Sequence, residues 1–367
     1  MIIYDDTTGA RVYLRPLGFL AGAAAARAVA ADAARWLAGG PVAFTHLEVL
    51  RRGQDAPCGE VLSLTDAQNR YGSLDPLTGL RSPLLLPSGA RIDLSMPVIM
   101  GIVNVTPDSF SDGGDCFTPD AAIARGRAMM VDGARILDVG GESTRPGADP
   151  VDSAEEQQRI LPVIKGLAGV RCPVSVDTRR ADTMSAAMAA GAAMINDVSA
   201  LTFDADSLSV AARSHAPVVL MHAQGDPRTM QKNPAYGNVL LDVFDYLEAR
   251  VAAAEAAGVP RHQIIVDPGI GFGKGLAHNL ALLDGIGLFH GIGCPVLLGV
   301  SRKSFIGRVS GEDDAKARVP GSLAVATLAR AHGVQIFRVH DVAETAQALS
   351  LTEAVLTAGR EGAMAHA

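Results

Sequence analysis

Residues 97–115, PVIMGIVNVTPDSFSDGGD, decide the fold of this chain. The apolar run PVIMGIV is typical of a strand that is buried on both faces, as the strands of parallel sheets are. NVTPDSFSDGGD follows directly and supplies an amide, carboxylates, hydroxyls and glycines, which together predict a polar loop just past the strand. Parallel sheets bind ligands at such strand ends, so the stretch predicts both a parallel sheet and a site at its carboxyl edge.

The same pattern, an apolar run that stops at a polar residue, recurs seven more times between Ala-rich helical segments. The eight runs are VIMGIVNV, RILDVGG, PVSVDT, AMINDVS, PVVLMH, IIVDPG, PVLLGVS and QIFRVH. Helices are predicted over residues 181–190, 239–257 and 322–331, with Ser322 as the cap of the last. Eight strand and helix units in about 265 residues indicate an α/β fold, a (β/α)₈ TIM barrel. The competing doubly wound open sheet usually has only five or six strands.

Residues 1–95 do not follow this alternation and are predicted to form a small α/β or irregular extension before the barrel of residues 96–367. The pattern predicts a helix over residues 21–37, a strand VAFTHLEVL, and a Pro/Gly-rich stretch that ends at SGARIDL. No polar constellation stands out in it. We therefore expect a packing element that covers the barrel bottom or forms a subunit contact, and not a second active domain.

Composition favours small-molecule partners. The 367 residues are 48% hydrophobic and 19% charged, with a formal net charge of -7 and no basic run, so neither nucleic acid nor an acidic membrane is an expected partner. The acidic start MIIYDDTTGAR does not predict a signal peptide, and no membrane-spanning run is present. Cys58, Cys116, Cys172 and Cys294 are far apart without a C-x-x-C pair, which argues against disulfides and structural zinc and favours a cytoplasmic location.

The carboxyl ends of all eight barrel strands meet at one rim, so the last residues of the runs predict a single polar site. These residues are Asn104, Asp138, Asp177, Asn196, Asp197, Met221, His222, Asp267, Ser301, Arg302, Lys303, Arg338, His340 and Asp341. Carboxylates in a closed site need donors, and a flat heterocycle rich in N–H groups, such as a pteridine or purine, would supply them to Asp177, Asn196 and Asp267. A divalent metal cage is the alternative, but no His-x-x-x-His or similar spacing supports it.

Three basic residues are expected to stand opposite the acids. The chain has five lysines against 27 arginines, so a lysine at position 303 in SRKS suggests the need for a compact ammonium, with a Schiff-base lysine as the alternative. Arg338 and His340 are two residues apart on a strand and therefore point to the same side, which suits a phosphate or diphosphate. The plain alternative is that RVHD is only a capped strand end.

Three loops complete the predicted site. TPDSFSDGGD and GESTRPGAD are expected to be mobile lids that exclude water. DPGIGFGKG lacks the spacing of a dinucleotide-binding or P-loop motif, so its GK does not indicate nucleotide binding. Its glycines are expected to let the backbone and Phe272 approach a ligand closely.

Taken in order, several motifs resemble the dihydropteroate synthase family over residues 96–360. They are MGIVNVTPDSFSDGG, ILDVGGESTRPGA, PVSVDTRR, INDVSA, MHAQGDPRTMQ, DPGIGFGK, GVSRKSFIG and RVHDVAET. The resemblance implies a transferase of folate biosynthesis that condenses 6-hydroxymethyl-7,8-dihydropterin diphosphate with 4-aminobenzoate. It also implies Mg²⁺ bound with the diphosphate, no redox cofactor, and a homodimer.

The resemblance also assigns roles to single residues. The implied pterin-binding residues are Asp177, Asn196, Asp267 and Lys303, with Asp138 and Met221 beside them. Asn104 would hold Mg²⁺ with the diphosphate, which Thr144, Arg338 and His340 would contact. The aminobenzoate would lie against Thr144, Pro146, Phe272, Ser301 and Lys303, with Phe110 from the first lid.

The mechanism implied is a hypothesis in which the C–O bond breaks first and leaves a pterin methyl cation. Asp108 and Asp138 would stabilise that cation, while Arg338, His340 and Mg²⁺ would stabilise the departing diphosphate. Lys303 completes the predicted catalytic residues.

Departures from the family pattern are few. Ala223 and Asp226 stand where relatives often have Met and Thr, and the first 95 residues are an addition. Two alternatives stay open: a methyltetrahydrofolate-dependent methyltransferase, which would not need the GESTRPGA lid or the diphosphate site, and a non-catalytic pterin-binding paralogue.

Overall fold

The computed structural model describes residues 3–4, 9–53, 59–106, 118–143, 151–225 and 229–360. Its N-terminal part is a small α/β unit. The elements of this part are β1 (Ile3–Tyr4), β2 (Arg11–Leu17), α1 (Gly22–Ala30), β3 (Arg35–Trp36), β4 (Ala43–Phe44), β5 (His46–Arg51), β6 (Glu60–Ser63), α2 (Leu64–Tyr71), α3 (Asp75–Thr78), β7 (Leu84–Leu85) and β8 (Arg91–Ile92). An antiparallel sheet has the order β1-β2-β5-β6, and β3–β4 and β7–β8 form separate antiparallel pairs.

The helix predicted over residues 21–37 ends at Ala30, which corrects that prediction. Asp32 adopts a left-handed backbone with φ 61°, and its N–H bonds the Val29 carbonyl while Ala33 N–H bonds the Ala28 carbonyl at 2.8 Å. This pair of bonds is a Schellman motif, which stops a helix. The predicted strand VAFTHLEVL is likewise two strands, β4 and β5, that belong to different sheets.

The second part is the barrel. Its strands are β9 (Val98–Asn104), β10 (Ile136–Gly140), β11 (Val174–Asp177), β12 (Met194–Asp197), β13 (Val218–Met221), β14 (Ile264–Asp267), β15 (Leu297–Leu298) and β16 (Ile336–Val339). They are parallel, in the order β14-β13-β12-β11-β10-β9-β16-β15, and a parallel bridge between Val266 and Val296 joins the two ends. The sheet is therefore the predicted TIM barrel.

Helices connect the strands outside the barrel. They are α4 (Pro119–Val131), α5 (Ser153–Leu167), α6 (Ala181–Ala189), α7 (Ser207–Ser214), α8 (Val239–Ala256), α9 (Leu276–Asp284), α10 (Ser304–Ser310), α11 (Val319–Ala331) and α12 (Val342–Thr357), with 3₁₀ turns at Arg261–Gln263, Ile286–Ile292 and Lys316–Arg318. Among the described residues, no helix is long and apolar enough to cross a membrane.

Ser322 does not cap α11, contrary to the prediction. The helix begins three residues earlier, at Val319, and Pro320 occupies its first turn, where a missing N–H costs nothing. Inside the helix the Ser322 hydroxyl donates to the Arg318 carbonyl at 3.0 Å and accepts the Arg302 N–H at 2.9 Å. The side chain therefore ties α11 to the residue that precedes Lys303.

The barrel interior changes from apolar to polar along each strand. At the amino-terminal end, the first inward residues of the strands pack in one cluster with the β7–β8 hairpin. The members from the hairpin region are Leu84, Leu86, Ile92 and Leu94, and those from the strands are Val98, Met100, Ile136, Met194, Val219, Ile265, Leu297 and Ile336. The β7–β8 hairpin region at the end of the extension thus closes the barrel bottom and forms its plug. The predicted boundary at residue 95 falls between this plug and the strands that it covers.

Candidate active site

The next inward position of each strand carries the site. Side chains two residues apart on a strand share a face, so the residues above Ile136, Met194, Ile265 and Ile336 point into the barrel as well. These upper residues are Asp138, Asn196, Asp267 and Arg338, with Asp177 on β11 in register with Asn196. These polar side chains therefore form a layer directly above the apolar cluster at the barrel bottom.

Arg338 joins the acids at the centre of this layer. Its Nε lies 2.6 Å from Asp138 Oδ2, and its Nη2 lies 2.6 Å from Asp177 Oδ2. Asn196 Nδ2 donates to the same Asp138 oxygen at 3.0 Å. The expectation that the basic side chains stand apart from the carboxylates is corrected here, because one guanidinium fork compensates two buried acids without a ligand.

Burial shapes the charges of this cluster. It raises the pKa of Asp177 to about 7, although Arg338 acts to lower it, and the nearby Asp138 carboxylate raises it further. Burial also acts to lower the pKa of Arg338, but Asp138 and Asp177 outweigh it and hold the pKa above its ordinary value. Asp138 is fully buried, and its Oδ1 has no hydrogen-bond partner among the described residues. An orphaned acceptor of this kind calls for a donor from a ligand.

Asp267 and Lys303 form a second pair of charges. Burial raises the pKa of Asp267 despite the opposing charge of Lys303, and Asp267 Oδ1 accepts the Gly269 N–H at 2.7 Å. Burial lowers the pKa of Lys303 to about 8, against the raising effect of Asp267. Lys303 Nζ donates to the Ile270 carbonyl and lies 4.7 Å from the centre of the Phe272 ring. The ammonium therefore interacts both with a buried carboxylate and with an aromatic ring.

Ser301 and His340 meet at the rim. His340 Nδ1 lies 3.0 Å from Ser301 Oγ, and the His340 N–H donates to the same hydroxyl at 3.2 Å. Ser301 is buried, so this contact fixes the imidazole at the end of β16. Met221 is buried at the end of β13, in register with Asp267, where its thioether can pack against a flat ring.

Asn104 ends β9, in register with Gly140 on the neighbouring strand, and is half-buried. Its side chain has no hydrogen bond within the part of the chain that the structure describes. In those ranges no group of three His, Cys, Asp or Glu residues could hold a metal ion, so nothing there supports the alternative of a metal cage. A single amide oxygen is what Mg²⁺ can take from a protein when phosphate oxygens and water fill its other positions, so Asn104 fits that donor set.

Four predicted residues, Asp108, Phe110, Thr144 and Pro146, lie outside the described residues.

Asp197, at the end of β12, has a structural role: its carboxylate accepts the N–H groups of Ser199 at 2.7 Å and Leu201 at 2.9 Å. Burial raises the pKa of Asp197 to about 6. Its acceptors serve the loop after β12.

Lys274 was missed, because its GK was interpreted only as a failed nucleotide-binding motif. The side chain is 2% exposed, and its Nζ lies 2.9 Å from His222 Nδ1. The rarity of lysine, the same signal that pointed to Lys303, could have found it, since only five occur in the chain.

Comparison with known proteins agrees with this geometry. Residues 100–340 match the family model described as pterin binding enzyme. The dihydropteroate synthase of Escherichia coli K12 is 44% identical over 275 residues, which cover 75% of this chain and 97% of that protein. The Yersinia pestis dihydropteroate synthase, solved as a sulfonamide drug complex, is 42% identical with a TM-score of 0.72 and covers 74% of this chain and 98% of that one.

A third relative was solved with a product. The Xanthomonas albilineans dihydropteroate synthase in complex with 7,8-dihydropteroate is 43% identical, with a TM-score of 0.67, and covers 75% of this chain and 98% of that one. The family model spans well over half of the sequence, and the relatives are matched over nearly their whole length. The chain belongs to the pterin-binding enzymes and, among them, to the dihydropteroate synthase family.

Proposed function

We propose that this chain condenses 6-hydroxymethyl-7,8-dihydropterin diphosphate with 4-aminobenzoate to give 7,8-dihydropteroate and diphosphate. The observation that carries the proposal is the layer of buried Asp138, Asn196 and Asp267 with partly buried Asp177 and Arg338, all at positions where the sequence resembles this family. The N–H groups of a pterin edge match carboxylate and amide acceptors in a site that excludes water.

Pterin recognition would use the carboxylate and amide acceptors of this layer. Asp138 Oδ1 has no partner among the described residues, and one oxygen of Asp267 is held by the Gly269 N–H. The Arg338 fork keeps Asp138 and Asp177 oriented, so the pterin meets a preorganised site. Asn196 contributes an amide that can both donate and accept.

Bond breaking follows from the charges. When the C–O bond to the diphosphate breaks, its electrons leave with the diphosphate, and positive charge develops on the pterin methylene group. The Asp138 carboxylate lies in the buried layer, where it would stabilise that charge. His340, whose Nδ1 lies 3.0 Å from Ser301 Oγ, would stabilise the departing diphosphate at the rim of the barrel. Asn104 would hold Mg²⁺ together with the diphosphate, and the ion would supply positive charge for the leaving group.

The amine nitrogen then forms a bond to the methylene carbon, and its proton passes to the solvent. Phe272 and the Lys303 ammonium, 4.7 Å from the ring centre, would form the pocket for the aminobenzoate ring and its carboxylate. Because the Lys303 amine already donates to the Ile270 carbonyl, we assign it to binding and charge stabilisation and not to a Schiff base.

The test uses the purified full chain with both substrates and Mg²⁺. We expect diphosphate release that depends on 4-aminobenzoate, with one 7,8-dihydropteroate formed for each diphosphate. Reactions that omit one of the two substrates serve as controls. Pterin diphosphate binding without product would indicate the non-catalytic paralogue, and methyl transfer from methyltetrahydrofolate would indicate the methyltransferase.

We also propose a homodimer, in the cytoplasm. Helices α11 and α12 pack against each other and expose apolar side chains: Leu328 is 64%, Leu351 67% and Val355 64% exposed. A second copy could cover them. Light scattering coupled to size exclusion should give a mass twice that of one chain. In the double variant Leu351→Glu with Val355→Glu, the measured mass should fall to that of one chain.

A further inference from the structure

Two ammonium groups donate to alternate carbonyls of one loop. Residues 268–275 connect β14 to α9 and carry Phe272. Lys303, the N-cap residue of α10, donates to the Ile270 carbonyl, while Lys274 Nζ lies 2.9 Å from the Phe272 carbonyl oxygen. The position of Lys303 therefore depends on where this loop lies.

Lys274 fastens the loop to the end of β13. Its three N–H groups meet three acceptors: His222 Nδ1 at 2.9 Å, the Phe272 carbonyl at 2.9 Å and the His222 carbonyl at 3.2 Å. Burial lowers the pKa of His222 to about 3, so its Nδ1 keeps a lone pair to accept. Burial lowers the pKa of Lys274 well below its ordinary value, and the Lys303 charge lowers it further, against the raising effect of the Asp267 carboxylate. The Lys274 amino group is nevertheless fully hydrogen-bonded, as a buried polar group must be.

The loop lies so close to β13 that only glycine fits. Gly269 has φ +67°, and a Cβ there would lie 1.9 Å from the His222 carbonyl oxygen. Gly273 has φ +64°, and a Cβ there would lie 2.3 Å from the Gln224 carbonyl oxygen. These glycines permit the contact, but they supply no side chain to hold it. Lys274 supplies that side chain.

The two substrates depend on this loop to different degrees. Asp177, Asn196 and Asp267 lie on barrel strands, and the backbone at Asp267 is held by a 3.0 Å bond from the His222 N–H. Phe272 and the Ile270 carbonyl that holds Lys303 belong to the loop itself. The pterin pocket shares only Lys303 with the amine pocket, so loosening the loop should disturb the amine pocket more than the pterin pocket.

We propose that Lys274 is a positioning residue for the amine substrate, because its buried ammonium fixes the loop that presents Phe272 and orients Lys303. The inference rests on the proposed function. It assigns no direct contact with a substrate to Lys274.

The test compares Lys274→Met and Lys274→Gln with Arg330→Met. Arg330 is the matched control, a cation that is 1% exposed on α11 and donates to Glu353 at 2.8 Å, with no bond to the loop. In the Lys274 variants we expect the KM for 4-aminobenzoate to rise about tenfold while the KM for the pterin diphosphate changes less than about threefold. Arg330→Met should lower the melting temperature and leave both KM values unchanged.

A second measurement does not depend on activity. Amide hydrogen exchange of residues 268–275 in the ligand-free protein should be faster in both Lys274 variants than in wild type or Arg330→Met. Unchanged exchange, equal rises in both KM values, or loss of folding in both Lys274 variants while Arg330→Met folds would overturn the proposal. A wild-type chain that makes no dihydropteroate refutes the proposed function instead, and the exchange result still decides how the loop is held.

Discussion

Arg338 Nη2 lies 2.6 Å from Asp177 Oδ2 inside the mouth of the barrel. We expect the pair to make pterin binding depend on pH, because burial raises the pKa of Asp177 to about 7 and only the ionised carboxylate accepts two hydrogen bonds freely. We expect the affinity for the pterin diphosphate to increase as the pH rises from 6 to 8. Calorimetric titration across that range measures it.

Asp177→Asn is the matched variant for this prediction. It should bind the pterin more weakly, and the increase between pH 6 and 8 should be lost. For stability the sign is opposite: a raised folded pKa contributes stability that is fully present below the ordinary value of 3.8 and is lost as the pH rises through about 7. A wild-type affinity that falls over this range would contradict the assignment.

Lys303→Ala should lower kcat/KM at least about 100-fold, because the variant removes the charge between Asp267 and the Phe272 ring. Lys303→Arg should be partly tolerated, since a planar guanidinium keeps the charge but not the compact shape that reaches the Ile270 carbonyl. Steady-state kinetics with each substrate varied in turn gives both values. Near wild-type kcat/KM in the alanine variant would remove Lys303 from the mechanism.

Removal of Mg²⁺ should stop diphosphate release, and Asn104→Ala should raise the Mg²⁺ concentration needed for half-maximal activity about tenfold. The physical reason is that Asn104 is the proposed protein donor to an ion otherwise held by the diphosphate. Activity in chelator followed by Mg²⁺ titration of both proteins provides the measurement. Identical titration curves would show that Asn104 is not the ligand.

The polar layer of the site could be predicted because strand periodicity is strict. Ile136 and Asp138, or Ile265 and Asp267, are two residues apart, so the apolar inward residue also fixes the direction of the polar one above it. The barrel itself could be predicted because eight strand and helix units alternate regularly along the chain.

Pairings across the barrel could not be predicted. Arg338 pairs with Asp138 and Asp177, which lie on strands far from it in the sequence. Strand periodicity gives the face of a side chain but not its distance from side chains on other strands. The N-terminal helix was overestimated because Ala-rich composition favours helix up to and beyond Asp32, while the Schellman bonds that end it at Ala30 leave no strong signal without a glycine. Lys274 was missed because its partners, His222 and Phe272, come together only in the fold.

The N-terminal extension should divide into a dispensable part and an essential one. It packs against α8 through Tyr13, which is 2% exposed and lies edge-on to the Phe244 ring at 5.6 Å, and through ion pairs of Arg11 with Asp245 at 2.8 Å and Arg52 with Asp242 at 2.7 Å. Among the described residues, none of the hydrogen bonds or ion pairs of the site involves a residue before Leu84. A variant that lacks residues 1–81 should therefore keep kcat/KM near the full-length value, but its melting temperature should fall because the deletion exposes the apolar surface that Tyr13 covers.

A variant that also lacks residues 82–93 should unfold much more easily. It loses Leu84, Leu86 and Ile92 from the barrel bottom, and burial of each such side chain is worth about 1.5–3 kcal/mol. Thermal unfolding of both truncations, with Ile92→Ala in the full chain as the point control, measures the difference. Equal stability of the two truncations would mean that the barrel closes without its plug, whereas an inactive but folded 1–81 deletion would assign the extension a catalytic role.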